Sequence, residues 1–165
     1  MARMLDVGVM KFRVAPIWYC TFNLLLIGWS GQLESKTMAL YAQTSGSLST
    51  AATNLVPIPG LSFTLPGGVD IFALVILNLP SPYATGNNFP GGSFAISVNG
   101  VVSPVGASFT YNEQTPQSDG RVPTTLVLGV PLIEQDQTVV ALWQGIRGST
   151  VIIDSPATLG AILDD

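Results

Sequence analysis

The chain has 165 residues, 47% of them apolar and only 10% charged, with a formal net charge of −4. That supplies enough apolar material for one sizeable core and much less charge than the roughly 25% of an ordinary soluble domain, so much of the surface must be Ser/Thr/Asn-rich or buried against another subunit. Histidine is absent and Cys20 is the one cysteine, which excludes zinc sites of the usual kind, histidine-dependent nucleophilic catalysis and an intramolecular disulfide.

The charges divide unevenly along the chain. Residues 1–37 carry Arg3, Lys11, Arg13 and Lys36 against Asp6 and Glu34, whereas from Met38 onward Arg121 and Arg147 alone face Asp70, Glu113, Asp119, Glu134, Asp136, Asp154, Asp164 and Asp165. Phosphate neutralisation needs clustered Lys and Arg, so no nucleic-acid partner is expected. Isolated arginines suit forked donation to carboxylates and hydroxyls better than general solvation. An enzyme would be left with carboxylate chemistry, yet Asp and Glu occur singly in most loops and no spacing specifies a glycosidase pair. The expectation is a chain that is not an enzyme.

Residues 1–37 read as a non-domain extension, with 38–165 as one domain. Lys11 and Arg13 precede the apolar run Val14 to Ser30, a pattern that resembles a signal peptide. Pro16, Thr21, Asn23, Gly28 and Ser30 dilute it as a membrane anchor, and the cleavage signal after it is poor. Three readings stand open in order: an extension upstream of a true start at Met38, a signal peptide, an anchor.

From Tyr41 to Asn54 the chain is Ser/Thr/Ala/Gly-rich, suiting a mobile arm or a solvated first strand. Val56–Phe63 mixes apolar residues with Pro57, Pro59 and Gly60, as an edge strand with a bend does. Ile71–Leu79 is a near-continuous apolar run of strand length, implying burial on both faces, one of them open to a subunit interface. A long loop follows, Pro82-Tyr83-Ala84-Thr85-Gly86-Asn87-Asn88-Phe89-Pro90-Gly91-Gly92, with Phe89 read as a plug over the core end. Phe94–Val98 alternates, Asn99-Gly100 signals a tight hairpin, and Val101-Val102 starts the return. Ala107–Asn112 alternates again, Glu113–Pro123 is a polar turn region, and Thr124–Val130 and Thr138–Trp143 are strands rich in β-branched residues. Gly145–Ser149 turns into Thr150–Asp154, and Ala157–Leu163 is a last strand. Seven to nine short strands without a sustained helical period predict an all-β sandwich or jelly roll.

Pro82–Gly91, Phe109-Thr110-Tyr111, Ser118-Asp119-Gly120-Arg121, Ile146-Arg147-Gly148-Ser149 and Ile153-Asp154-Ser155 together resemble the TNF-like fucose-binding lectin domain at the N-terminus of a two-domain bacterial superlectin, over about Met38 to Leu163 and in the same order. The resemblance implies a TNF-like or C1q-like jelly-roll sandwich that forms a homotrimer and binds fucosylated glycans of cell surfaces between protomers, without a metal ion or other cofactor, and that meets membranes only through such glycans. It places the protein outside the cell or at its surface. Sugar-contacting positions match Tyr83, Thr110, Tyr111, Ser118, Arg121, Arg147 and Ser155, and Asp154 matches a neighbour that orients an arginine. The chain departs from the family at Ser93, where a tyrosine is usual, at Asp119 in place of threonine, and at Gly106 in place of aspartate in a loop one residue longer.

The residue types fit that implication chemically. A pyranose presents hydroxyls that both donate and accept, beside a patch of C–H groups, so a site needs forked donors, oxygen acceptors and an aromatic surface. The bland readings are that Arg147 pairs with Asp154, that Arg121 pairs with Asp119 or Glu113, that Tyr83 and Tyr111 are core or interface aromatics, and that Trp143 is core or a subunit contact. The rival for the whole chain is a TNF-like or C1q-like structural trimerisation module that binds no sugar.

Overall fold

The computed structural model describes residues 37–69, 71–116 and 120–164. The N-terminal run, with its three readings, lies outside them. Among the described residues eleven strands form: β1 (Met38–Gln43), β2 (Leu48–Thr50), β3 (Val56–Leu65), β4 (Phe72–Leu79), β5 (Tyr83–Thr85), β6 (Gly91–Val98), β7 (Val101–Thr110), β8 (Thr124–Pro131), β9 (Gln137–Ile146), β10 (Thr150–Ile153) and β11 (Thr158–Asp164). They make two four-stranded sheets, β1-β11-β4-β8 and β3-β9-β6-β7, and a three-stranded one, β2-β10-β5. Every pairing is antiparallel.

The expected edge strand with a bend is β3. Among the described residues its one strand partner is β9, and the register shifts between Pro57 and Ser62, around Pro59 and a Gly60 at φ +82°, because proline cannot donate to a ladder and is tolerated at a bulge. Asn99-Gly100 closes the β6–β7 hairpin with φ of 51° and 79° at the two positions, the backbone a type I′ turn demands. Of the two readings of Tyr41–Asn54, the solvated first strand holds and the mobile arm does not: β1 pairs along the edge of β11 and β2 along β10. β7 runs unbroken through Val101-Val102 and Ala107–Thr110, and the register slips beside Gly106, where β6 advances two residues from Ala95 to Ser97 while β7 covers four from Gly106 to Val102. The predicted long loop shrinks at both ends, since Tyr83–Thr85 pairs with Thr150–Ile152 and Gly91-Gly92 already belongs to β6.

Side chains alternate across each strand, so β4 sends Ala73, Val75, Leu77 and Leu79 into a core shared with Ile58, Leu61 and Leu65 of β3, Phe94 and Ile96 of β6, Val139, Ala141 and Trp143 of β9, and Leu159 and Ala161 of β11. Trp143 is core. The other face of β4 is open, and the double burial expected of Ile71–Leu79 is absent from the single chain. Phe72 is 65% exposed, with Leu74, Val127, Ile162 and Tyr41 also exposed. Register lines Ala39, Ile162, Leu74 and Gly129 into one row across the sheet and Tyr41, Gly160, Ile76 and Val127 into the next, giving an apolar outer face.

Trp143 is 2% exposed and stands opposite Phe94. Trp143→Ala is expected to cost about 3–5 kcal/mol, measured by denaturant unfolding.

Candidate functional site

The matched residues gather at the end of the sandwich where β6 begins and β7 and β9 finish, in two sets. The first centres on Arg121. Its Nη1 donates to Asp154 Oδ1 at 2.5 Å and its Nη2 to Asp154 Oδ2 at 2.7 Å, a bidentate pair, while Nη1 also donates to the Ser81 carbonyl at 3.1 Å. The Arg121 guanidinium carbon lies 4.5 Å from the centroid of the Tyr83 ring, within cation–π range. Ser155, next to Asp154, shares a hydrogen bond between hydroxyls with Ser81. Arg121 therefore pairs with Asp154, and neither Arg147–Asp154 nor an Arg121–Glu113 pair is the arrangement found.

The second set lines a cleft of about 350 Å³ formed by Phe89, Thr110, Tyr111, Asn112 and Arg147. Arg147 Nη1 donates to the Phe89 carbonyl at 3.3 Å. Both residues have left-handed backbones, Phe89 at φ 46° and Arg147 at φ 54°. For non-glycine residues such geometry costs on the order of 1 kcal/mol or more, and it concentrates at functional positions. Phe89 is not a core plug; it is 40% exposed at the cleft.

The Arg147 turn is fixed locally. Arg147 and Gly148, at φ 54° and 73°, link β9 to β10 in a tight turn between two sheets, closed by the Ser149 N–H donating to the Ile146 carbonyl at 3.1 Å. Ser149 is 2% exposed, and its hydroxyl reaches the Gly91 carbonyl at 2.6 Å and the Ile146 carbonyl, and accepts from the Gly91 N–H at 3.1 Å. This ties the Phe89-Pro90-Gly91 arm to the Arg147 turn. Gly91 is required there, since a Cβ would lie 2.2 Å from the Phe109 carbonyl oxygen.

Tyr111 connects the two sets. Its ring is tilted against Phe109 at 5.7 Å, and Phe109 stacks on Phe94 at 6.2 Å. Its hydroxyl donates to the Gly120 carbonyl and accepts from the Ala84 N–H at 3.2 Å, bracing the segments that carry Arg121 and Tyr83. The polar tip thus holds structure while the ring flank faces the cleft, and the core and site readings of Tyr111 both apply. Ser93 lies on the outward side of β6, in the row adjoining Gly91 and Thr110. Ser118 and Asp119 lie outside the described residues. Sequence reasoning missed Asn112 at the cleft and Ser81 beneath Arg121; neither residue type is distinctive in a turn.

Tyr83, Arg121, Asp154 and Ser155 are not among the residues lining the Arg147 cleft. One chain therefore presents two partial donor–acceptor sets, each with a guanidinium and an aromatic ring. Among the described residues no group of three or more Asp, Glu or Cys is placed to hold a metal ion, and no helix is long and apolar enough to cross a membrane.

The antiparallel jelly roll and this surface define a lectin-like domain of the TNF-fold class. Residues 40–162 match the family described as Bc2l-C, N-terminal domain, and the chain belongs to that family, as the motifs from Pro82 to Ser155 implied. Compared with curated proteins, the chain matches none. The family is one of carbohydrate-binding domains, a class whose members generally bind sugars without turning them over.

The Arg121 hydrogen bond holds the Asp154 carboxyl below its ordinary value, against a smaller opposing effect of desolvation. A lowered folded-state pKa means that the pair contributes at neutral pH and is lost only as pH falls through that lowered value. Carboxyl-carbon NMR should give an Asp154 midpoint below the usual value of about 3.9, returning to it in Arg121→Ala.

Proposed function

We propose that this domain binds fucose, or a closely related deoxy-sugar, on fucosylated glycans at sites completed between protomers of a homotrimer, with no cofactor. The observation that carries the reading is the split of the matched residues into two partial sets on one chain. Joined across a subunit boundary, the Arg147 cleft of one protomer and the Tyr83–Arg121–Ser155 surface of the next supply two forked donors, hydroxyl acceptors and aromatic faces around one pyranose. Ser93, Thr110 and Tyr111 belong to the cleft side in this arrangement. Ser118 and Asp119 belong with Arg121 by their place in its motif, and Asp154 keeps Arg121 extended toward the sugar.

The apolar outer face of β1-β11-β4-β8 supports the assembly. A contiguous exposed apolar face marks an interaction site, and a threefold ring would cover one such face on each of its protomers. Residues 1–37 are an extension dispensable for this assembly. A single sugar must displace well-solvated hydroxyl contacts, so each site is expected to bind in the micromolar to millimolar range, on the order of −8 to −4 kcal/mol. Several sites engaging one glycan-bearing surface raise that by about a hundredfold or more, which suits action at the outside of a cell.

Arg147→Asn separates the sugar role from the fold. Asparagine tolerates the left-handed turn, so thermal unfolding should stay close to that of the unaltered protein, while calorimetry with L-fucose shows binding lost. Unchanged binding overturns the assignment, and a protein binding no glycan at any valency is the structural trimerisation module instead. A chain shortened to begin at Met38 should remain a trimer by light scattering; a folded monomer contradicts the assembly.

A further inference from the structure

β7 and β8 each lie at the end of their sheet, and a second cleft, of about 310 Å³, is lined by the first residues of β7 and the last of β8. The strand rise along β7 from Thr110 to Val101 puts it about 30 Å from the Arg147 cleft. Its walls are Val98, Val101, Val102, Leu128, Val130 and Ile133, of which Val101, Val102 and Ile133 are exposed. No charged side chain lines it, and the hydroxyl of Ser103, also in the lining, is already committed to the Val105 carbonyl at 3.0 Å. Gln137, which completes the lining, is different in kind. The buried row of β9 runs Gln137, Val139, Ala141, Trp143, and the last three belong to the core, so an amide stands where the pattern calls for an apolar side chain. Gln137 is 6% exposed, and its Oε1 is buried without a hydrogen-bond partner among the described residues. A buried amide oxygen that has lost its hydration and gained no donor destabilises the fold, and such a group in the wall of a cleft points to a donor supplied from outside the chain.

We propose that this cleft binds a small, uncharged, mainly apolar molecule carrying one hydroxyl or amide N–H, which donates to the Gln137 amide oxygen while its hydrocarbon part fills the valine, leucine and isoleucine walls. The last side-chain torsion of glutamine is soft, so the amide can turn its oxygen or its NH₂ toward the cleft and serve as acceptor or donor. Ions are excluded because no opposite charge meets them inside, and a pyranose because its several hydroxyls would share a single amide. An apolar cavity of about 150 Å³ takes up benzene, so a cleft of about twice that volume accommodates a phenol or a short-chain alcohol. The site is independent of the fucose reading, since it shares no lining residue with the Arg147 cleft.

Phenol and toluene, similar in size and differing by one hydroxyl, test the site in titrations of the full chain followed by methyl NMR. Both should move the methyl signals of Val98, Val102, Leu128 and Ile133 at about millimolar concentration and leave that of Thr110, at the other cleft, in place. In Gln137→Leu the ratio of phenol affinity to toluene affinity should fall about threefold to tenfold, the loss of one net hydrogen bond. The thermal midpoint of that variant should hold or rise, because the unpaired oxygen is gone. Gln137→Met, closer in length to glutamine, gives the same two readings if leucine packs poorly. An unchanged ratio overturns the site, and so does a loss of stability in both variants, which means that the amide is paired within the protein. Methyl signals that neither probe moves, as when a second copy of the chain sits over the cleft, overturn it too.

Discussion

Strand alternation gives β4 and β11 two apolar faces and one core to fill. Ala73, Val75, Leu77 and Leu79 are spent inside the sandwich, while Phe72 and Leu74 on the same strand, with Ile162 beside them, are left pointing away from it. A weakly charged chain has few means of keeping such a face in water. The low charge, the open apolar face and a surface divided into two partial sets are accounted for together by the proposed assembly, in which a neighbouring protomer would cover the face and bring the other half of the site.

Much of the fold was legible because its signals are local. Asn99-Gly100 specifies its turn by the positive φ it tolerates, Pro57 and Pro59 mark an edge by the donors they lack, and the β-branched runs at Thr124–Val130 and Thr138–Trp143 fall in β8 and β9. What escaped depends on pairing with distant chain. Tyr83–Thr85 is a strand because Thr150–Ile152 lies alongside it, and the choice between arm and first strand for the Ser/Thr-rich segment after Met38 is decided by the edges that β11 and β10 offer. Nothing in those short, small-residue stretches announces a partner more than sixty residues away.

At the site, residue types were readable and connections were not. Two arginines in an otherwise acidic region drew attention by scarcity, yet which carboxylate each would meet is a matter of where strand ends converge. Asp154 reaches Arg121 from 33 positions away, whereas Arg147 turns to the carbonyl of Phe89. Phe89 looked like filler for the same reason: its side chain is apolar, and only the left-handed turn that carries it explains why it stands at the cleft. Ser81 and Asn112 gave no signal, because serine and asparagine in turns are the ordinary case.

The Ser149 hydroxyl has one proton and two carbonyl oxygens in reach, those of Gly91 and Ile146, while its lone pair is occupied by the Gly91 N–H. It can serve each arm of the cleft only in turn. The two arms are therefore joined through one buried hydroxyl shared between two carbonyls, of which that of Ile146 also accepts from the Ser149 N–H. Substituting threonine or alanine would alter the stiffness of the cleft mouth without touching any group that meets a ligand, so adaptability toward differently shaped glycans can be tuned from inside the protein.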